Sequence, residues 1–122
     1  MNTKKILLVT SDIELSGIIR ISALTLTKLN CQVAIDESSD ENDIIKRSGE
    51  ENIDMIIFDS GHETLDIKEI IGRIRSDSGS TSKKIITVYT GDINREEFFN
   101  AGCDSIMSKD EFKKAVNNIL QH

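Results

Sequence analysis

The chain has 122 residues, of which 38% are hydrophobic and 30% charged, and its formal net charge is −6. This length predicts one domain over residues 1–122 with one buried core, and the composition excludes a disordered chain. The chain has 15 basic and 21 acidic residues, and the basic residues form no run in the sequence. Nucleic acid and membrane surfaces are therefore disfavoured as direct partners. No apolar stretch approaches the roughly 18 residues of a membrane span, and residues 1–5 lead directly into a strand. We therefore expect a cytoplasmic protein.

Two cysteines, Cys31 and Cys103, lie far apart in the sequence. Their spacing fits neither a metal site nor a redox motif. We expect two small buried residues and no disulfide.

Five short apolar segments alternate with helix-forming segments along the chain. The first, third and fourth are near-continuous apolar runs, which is typical of strands covered by helices on both faces. The second is less apolar and is predicted to be an edge strand. The predicted strands are 5–10, 31–35, 54–58, 85–90 and 105–107.

A capping residue three positions before a glutamate marks the start of each predicted helix. These pairs are Ser11 with Glu14, Ser38 with Glu41, Asp66 with Glu69, Asn94 with Glu97, and Ser108 with Glu111. Apolar side chains at helical spacing over 67–74 and 112–120 predict faces that pack on the sheet. The predicted helix ends are Asn30, Gly49 and Gly102, and a mobile connection is predicted over 76–83.

This alternation predicts an α/β fold, a three-layer doubly wound five-stranded parallel sheet with strand order 2-1-3-4-5. A barrel is excluded because it needs about 250 residues. Ligands of such sheets bind beyond the carboxyl ends of the strands, where the strand order reverses. The residues that follow those ends include Asp12, Asp59, Thr90 and Lys109.

Four segments carry a family resemblance: KKILLVTSD, DMIIFDSGHE, ITVYTGD and AGCDSIMSK. In these segments and their spacing the chain resembles response-regulator receiver domains over nearly its whole length. The resemblance implies a flavodoxin-like fold and phosphorylation of Asp59 by a histidine kinase or phosphotransfer protein. Thr90 and Lys109 would contact the phosphoryl group, with Gly91 leaving room beside it. It also implies a signalling domain rather than an enzyme, with a partner on the surface of helix four, strand five and helix five.

The sequence departs from that family where the family binds Mg²⁺. Thr10 and Ser11 stand at the positions of an acidic pair, and Asp12 follows, where we expect it to serve the first helical turn. Asp59, Asp12 and a carbonyl near Gly61 would make only a weakened Mg²⁺ site, because this ion prefers octahedral oxygen ligands that include carboxylates. We expect Lys109 to pair with Asp59 instead.

Two further departures concern the fifth strand and the residue after Lys109. Ile106 replaces an aromatic residue that turns inward on activation in many receivers. Asp110 replaces a proline that follows a cis bond, and a cis bond before a non-proline residue costs roughly 2.5 to 4 kcal/mol, so we expect a trans bond.

Two functions stay open on these residues. The first is a receiver that accepts a phosphoryl group on Asp59 to control partner binding. The alternative is a phosphorylation-independent pseudo-receiver, a protein-interaction module. A flavin protein is disfavoured because Asp12 and Glu14 would repel a phosphate tail, and a cobalamin site lacks its ligand histidine. We assign His62, predicted to be an exposed loop residue, no role.

Overall fold

The computed structural model describes residues 3–77 and 83–121, which form five strands and five helices in strict alternation. No helix within these ranges is both long and apolar enough to cross a membrane. The predicted mobile connection over 76–83 falls largely on residues 78–82, which lie outside the described residues. The strands are β1 (Thr3–Val9), β2 (Gln32–Glu37), β3 (Met55–Asp59), β4 (Lys84–Tyr89) and β5 (Ser105–Ser108). The helices are α1 (Ile13–Lys28), α2 (Glu41–Ser48), α3 (Ile67–Asp77), α4 (Arg95–Ala101) and α5 (Lys109–Gln121).

The five strands form one parallel sheet in the order β2-β1-β3-β4-β5. The predicted strand order is therefore confirmed, and β2 is an edge strand as expected. All strand boundaries agree with the sequence-based prediction to within two residues. Because every strand runs in the same direction, the residues that follow the strands collect at one edge of the sheet.

Two apolar layers cover the two faces of the sheet. Ile6 and Leu8 point to the layer of α1 and α5, whereas Leu7 and Val9 point to the layer of α2, α3 and α4. This alternation within β1 explains its continuous apolar run, since neighbouring side chains of a strand point to opposite faces. Burying each such side chain contributes on the order of 1.5 to 3 kcal/mol.

The cysteines belong to different layers. Cys103 is buried in the layer of α2 to α4, and Cys31 is only half-buried at the margin of the other layer. Both are free thiols. The prediction of a buried residue is thus confirmed for Cys103 and wrong for Cys31, whose position just before an edge strand leaves one side open.

Three of the five predicted helix starts are confirmed. Ser108 and Glu111 form a reciprocal capping box, and the Asn94 and Asp66 side chains accept from the backbone N–H groups of Glu97 and Glu69. At the other two helices the predicted serine is not the cap. Asp12 caps α1 and Asp40 caps α2. The extended backbone of these aspartates lets the carboxylate reach the first free N–H groups. The negative charge of the carboxylate also interacts favourably with the helix dipole.

Glycines end two of the helices as predicted, with Gly49 and Gly102 at the C-caps of α2 and α4. Gly102 has a φ of 122°, and a side chain there would clash with the side chain of Arg75. Helix α1 instead ends at Lys28 with Leu29 as its C-cap, and Asn30 follows in the left-handed region at a φ of 65°. Asparagine tolerates that conformation better than most residues.

Candidate functional site

The carboxyl edge of the sheet begins with two neighbouring strand ends. Val9 pairs with Phe58 in the β1–β3 register, so Thr10 and Asp59 follow side by side. Asp59 is the last residue of β3 and is buried, with 8% of its surface exposed. Sequence reasoning placed Asp59 at this edge but did not recognise Thr10 as its direct neighbour.

The carboxylate of Asp59 is hydrogen-bonded at both oxygens by its own chain. The Thr10 hydroxyl donates to Oδ2 over 2.7 Å, and the Gly61 backbone N–H donates to Oδ1 over 2.9 Å. The Asp12 backbone N–H in turn donates to the Thr10 hydroxyl oxygen over 2.9 Å. A buried polar group is tolerated when it is satisfied in this way. This half of the site is thus closed without any added ligand.

The loop after β3 is held by side chains of two loops. The Ser11 hydroxyl accepts from the backbone N–H of Glu63 over 3.1 Å, which ties this loop to the loop after β1. His62 Nδ1 accepts from the backbone N–H groups of Thr64 and Leu65 over 3.2 and 3.3 Å. His62 is half-buried, which corrects the prediction of an exposed histidine without a role. Its ring organises the loop beside Asp59.

Lys109, at the start of α5, is bound by the N-terminus of α1. Its ammonium donates to Asp12 Oδ2 over 2.6 Å and lies 3.1 Å from Glu14 Oε1. Lys113 contacts the same Glu14 oxygen over 2.9 Å. Within the described residues no ion pair joins Lys109 to Asp59, so the predicted pairing is wrong. The two carboxylates of Asp12 and Glu14 bind Lys109 in place of the single buried carboxylate of Asp59.

These contacts shift the pKa values of the groups involved. The hydrogen bond from Lys109 lowers the pKa of Asp12, and the same bond raises the pKa of Lys109. Hydrogen bonds from Lys113 and then Lys109 lower the pKa of Glu14. Asp12, Glu14 and Lys109 are therefore held in their charged forms near neutral pH. With Lys113, the cluster contains two carboxylates and two ammonium groups and is formally neutral.

The other half of the site is an open cleft of about 320 Å³ between the ends of β4 and β5. Tyr89 pairs with Ser108 in the sheet register, so Thr90 and Lys109 follow side by side. Thr90 and Gly91 are exposed, and Gly91 has a φ of 73°, which favours glycine. The lining residues are Glu14, Tyr89, Thr90, Gly91, Ser108, Lys109, Asp110 and Lys113.

The carboxylate oxygens proposed as Mg²⁺ ligands already accept hydrogen bonds from the chain. Asp12 Oδ1 accepts from the N–H groups of Glu14 and Leu15, and its Oδ2 accepts from Lys109. Asp59 accepts from the Thr10 hydroxyl at Oδ2 and from the Gly61 N–H at Oδ1. No cluster of three His, Cys, Asp or Glu side chains suited to a metal occurs in 3–77 or 83–121. Since Mg²⁺ requires near-ideal octahedral oxygen ligation, these residues do not fit a tight site.

The two remaining departures from the receiver sequence, at Ile106 and Asp110, concern the packing of β5 and the geometry of one peptide bond. Ile106 is buried within the layer of α2 to α4, where it packs as an ordinary core residue of β5. The bond between Lys109 and Asp110 is trans, as predicted, and all peptide bonds of the described ranges share this geometry.

Comparison with solved structures identifies the fold. The chemotaxis response regulator CheY4 of Vibrio cholerae superposes with a TM-score of 0.78 at 16% identity, covering 98% of each chain. The receiver domain of the sensor histidine kinase PA1611 of Pseudomonas aeruginosa, solved with magnesium in its active-site cleft, gives 0.77 at 20% identity, covering 98% of this chain and 96% of that one. The phosphorylated cyanobacterial phytochrome response regulator RcpA gives 0.75 at 18% identity, covering 97% and 91%.

The chain has the receiver fold. No protein-family model and no curated relative gives a significant match. At these identities the likeness establishes the flavodoxin-like receiver architecture over nearly the whole chain. The roles of individual residues rest on the geometry of this site.

Proposed function

We propose that this chain is a receiver-type module of two-component signal transduction that recognises its protein partner without phosphorylation of Asp59. The observation that carries the proposal is that both carboxylate oxygens of Asp59 already accept hydrogen bonds in a buried position. Its two oxygens accept from Thr10 and Gly61 at 2.7 and 2.9 Å, and 8% of the residue is exposed. A phosphoryl donor has to reach one of these oxygens in line, and doing so breaks a hydrogen bond in a buried position.

The charges around the site support the same proposal. Phosphoryl transfer is catalysed mainly by positioning and by cations that meet the charge of the transferred group. Here the ammonium of Lys109 is already held by Asp12 and Glu14. Within residues 3–77 and 83–121 no ion pair to Asp59 occurs, so the transfer loses most of its electrostatic assistance.

Divalent metal binding is proposed to be weak in this chain. The receiver domain of PA1611, which was solved with magnesium in its active-site cleft, shares the fold. In this chain a threonine hydroxyl and a serine follow β1, and the next carboxylate is occupied by Lys109 and by the helix N-terminus. Asp59 alone, with waters and a carbonyl near Gly61, supports at most a low affinity.

A phosphoryl-accepting receiver is the second candidate, favoured by the open half of the site. Thr90, Gly91 and Lys109 line one cleft at the strand ends, where a hydroxyl, a backbone N–H and an ammonium can meet a phosphoryl group. The donor would be a histidine kinase or a phosphotransfer protein. In this candidate the only chemistry is acceptance of the group on Asp59 and its slow loss to water, so the chain is not an enzyme in the usual sense.

The surface of α4, β5 and α5 is proposed as the site of a heterologous protein partner. Phe99 on α4 is 47% exposed, which leaves an aromatic side chain free on this surface. Aromatic residues are enriched at protein interfaces because they bury a large area at low entropic cost.

Treatment with acetyl phosphate and Mg²⁺ distinguishes the two candidates. Intact-mass measurement of the wild-type chain is expected to show no phosphoryl adduct even at high donor concentration. Asp59→Asn is the matched control, because it keeps the size of the side chain and removes the nucleophilic oxygen. An adduct on the wild type that Asp59→Asn lacks would overturn the proposal in favour of the second candidate.

A further inference from the structure

Helix α1 differs from the other helices in its exposed side. Of the five large hydrophobic side chains that are exposed in the described part of the chain, three lie on α1 and a fourth is its C-cap residue. Ile13, Ile21 and Leu24 are 89%, 68% and 66% exposed. On α5 the exposed positions are polar instead: Asp110, Glu111, Lys113, Lys114, Asn117, Asn118 and Gln121.

These side chains form one continuous stripe. Residues spaced by three and four share a helix face, and this face lies opposite the one that α1 buries against the sheet. We call it the outer face of α1, formed by Ile13, Gly17, Ile21, Leu24 and Lys28. An apolar stripe of roughly 400 Å² falls in the range of the largest apolar patches on monomers, which often have a function.

The outer face of α1 carries both projections and hollows. A Cβ built on Gly17 meets no atom within 4 Å, so this position is an open notch between projecting neighbours. Beside Leu24, a groove of about 320 Å³ runs between α1 and β2. A surface with both features fits a copy of itself, because a two-fold contact pairs each projection with a hollow on the other copy.

The charges also favour a second copy. The protein as a whole is acidic, at −6, and two copies repel each other through most surfaces. The outer face of α1 holds a single charge, Lys28, and the flanking Arg20 is already paired with Glu37. An antiparallel arrangement brings Lys28 beside Glu14 of the second copy, whose carboxylate also contacts Lys109 and Lys113 of its own chain, so Lys28 meets a neutral cluster and not a like charge.

We propose that the outer face of α1 packs antiparallel on the same face of a second copy, around a two-fold axis at Ile21. Leu24 then lies over Gly17 of the second copy. Helix α1 is about 24 Å long, and two such faces with their polar rims bury about 1,000 Å². That area is the lower limit for a specific interface, so we expect a weak and reversible dimer. This association does not depend on the state of Asp59.

Sedimentation across a wide concentration range tests the proposal on the complete chain. The wild type is expected to shift reversibly from monomer to dimer. Ile21→Glu should weaken the dimer at least about tenfold, since it sets two carboxylates against each other at the axis. Phe99→Glu is the matched control, an exposed apolar residue on another helix, and should dimerise like the wild type. A wild type that stays monomeric, or a dimer that survives Ile21→Glu, overturns the proposal.

A cross-linking experiment tests the antiparallel register. In a Cys31→Ser background, Ile21→Cys should form an intermolecular disulfide rapidly under mild oxidation, because the axis brings the two thiols together. Lys114→Cys, exposed on α5, serves as the control and should cross-link slowly. Equal rates would overturn the register.

A monomeric wild type that binds lipid vesicles would assign the outer face of α1 to a membrane surface and overturn the dimer.

Discussion

The two halves of the carboxyl edge differ in how their polar groups are satisfied. On the β1–β3 side, Asp59 is buried and bonded at both oxygens. On the β4–β5 side, Thr90 and Gly91 are exposed beside an open cleft. Lys109 belongs to the open half by position but is held by carboxylates of α1. The comparison shows that one half is complete by itself, and that only the other is free to meet a ligand.

The largest effect is expected from removing the hydroxyl that closes the first half. Thr10→Val keeps the shape of the side chain but leaves Asp59 Oδ2 buried without its donor, at a cost of about 1 to 3 kcal/mol in the free energy of unfolding. Urea denaturation measures this change. Thr90→Val, the same substitution in the open half, should stay within about 0.5 kcal/mol. Equal losses would show that the two halves do not differ in this way.

Adding carboxylates to the β1–β3 half should raise its affinity for metal ions. Thr10→Asp combined with Ser11→Asp places two more carboxylates beside Asp59, and we expect Mg²⁺ affinity to rise at least about tenfold. The amide resonances of residues 10–12 and 59–61 report binding during a Mg²⁺ titration. In the wild type these resonances should move little. Tight saturation of the wild type would contradict the weak site.

The smallest effect is expected from removing the Lys109 ammonium, which contacts Asp12 and Glu14. Lys109→Met removes the ammonium that Asp12 and Glu14 share. Because the two carboxylates remain open to solvent, which screens the charges, we expect a loss of less than about 1 kcal/mol. The pKa of Asp12 is lowered in the folded state, so its contribution is present above the unfolded value near 4 and is lost as the pH falls. The pKa of Lys109 is raised, so its contribution persists at neutral pH and is lost only at strongly alkaline pH.

Unfolding measured at pH 7 and at pH 3 checks this prediction. The difference between the wild type and Lys109→Met should be present at pH 7 and should shrink at pH 3. Lys114→Met, which removes an ammonium elsewhere on α5, provides the control. A difference that stays constant with pH would mean that packing of the lysine stem, rather than the charges, is what Lys109 contributes.

The fold followed from the sequence because its signals are local and repeated. Apolar runs predicted every strand, and the strand order followed from the alternation of strands with helices. Helix starts are harder to predict where two capping residues lie close together. Near Ser11 and Asp12 the motif with Glu14 favoured the serine, but the backbone places the aspartate at the cap. The serine instead holds the loop after β3.

The site was harder to predict because its contacts join distant segments. The sequence brought Asp59, Thr90 and Lys109 to one edge, but it did not show which carboxylate Lys109 would choose. That choice depends on side-chain reach and on Glu14, which adds a second negative charge on the first turn of α1. At Thr10 the sequence alone shows only that the family's acidic residue is absent. The positive role of Thr10, donating to Asp59, became visible only with the β1–β3 register.

The alternation of side chains in β1 has a consequence for how this protein can change over time. Leu7 and Leu8 are neighbours in the sequence but belong to different apolar layers. A substitution at one of them disturbs packing on one side of the sheet and is separated from the other by the backbone. Each side can therefore acquire compensating changes independently, so the helices on one face can diverge while the opposite face keeps its packing.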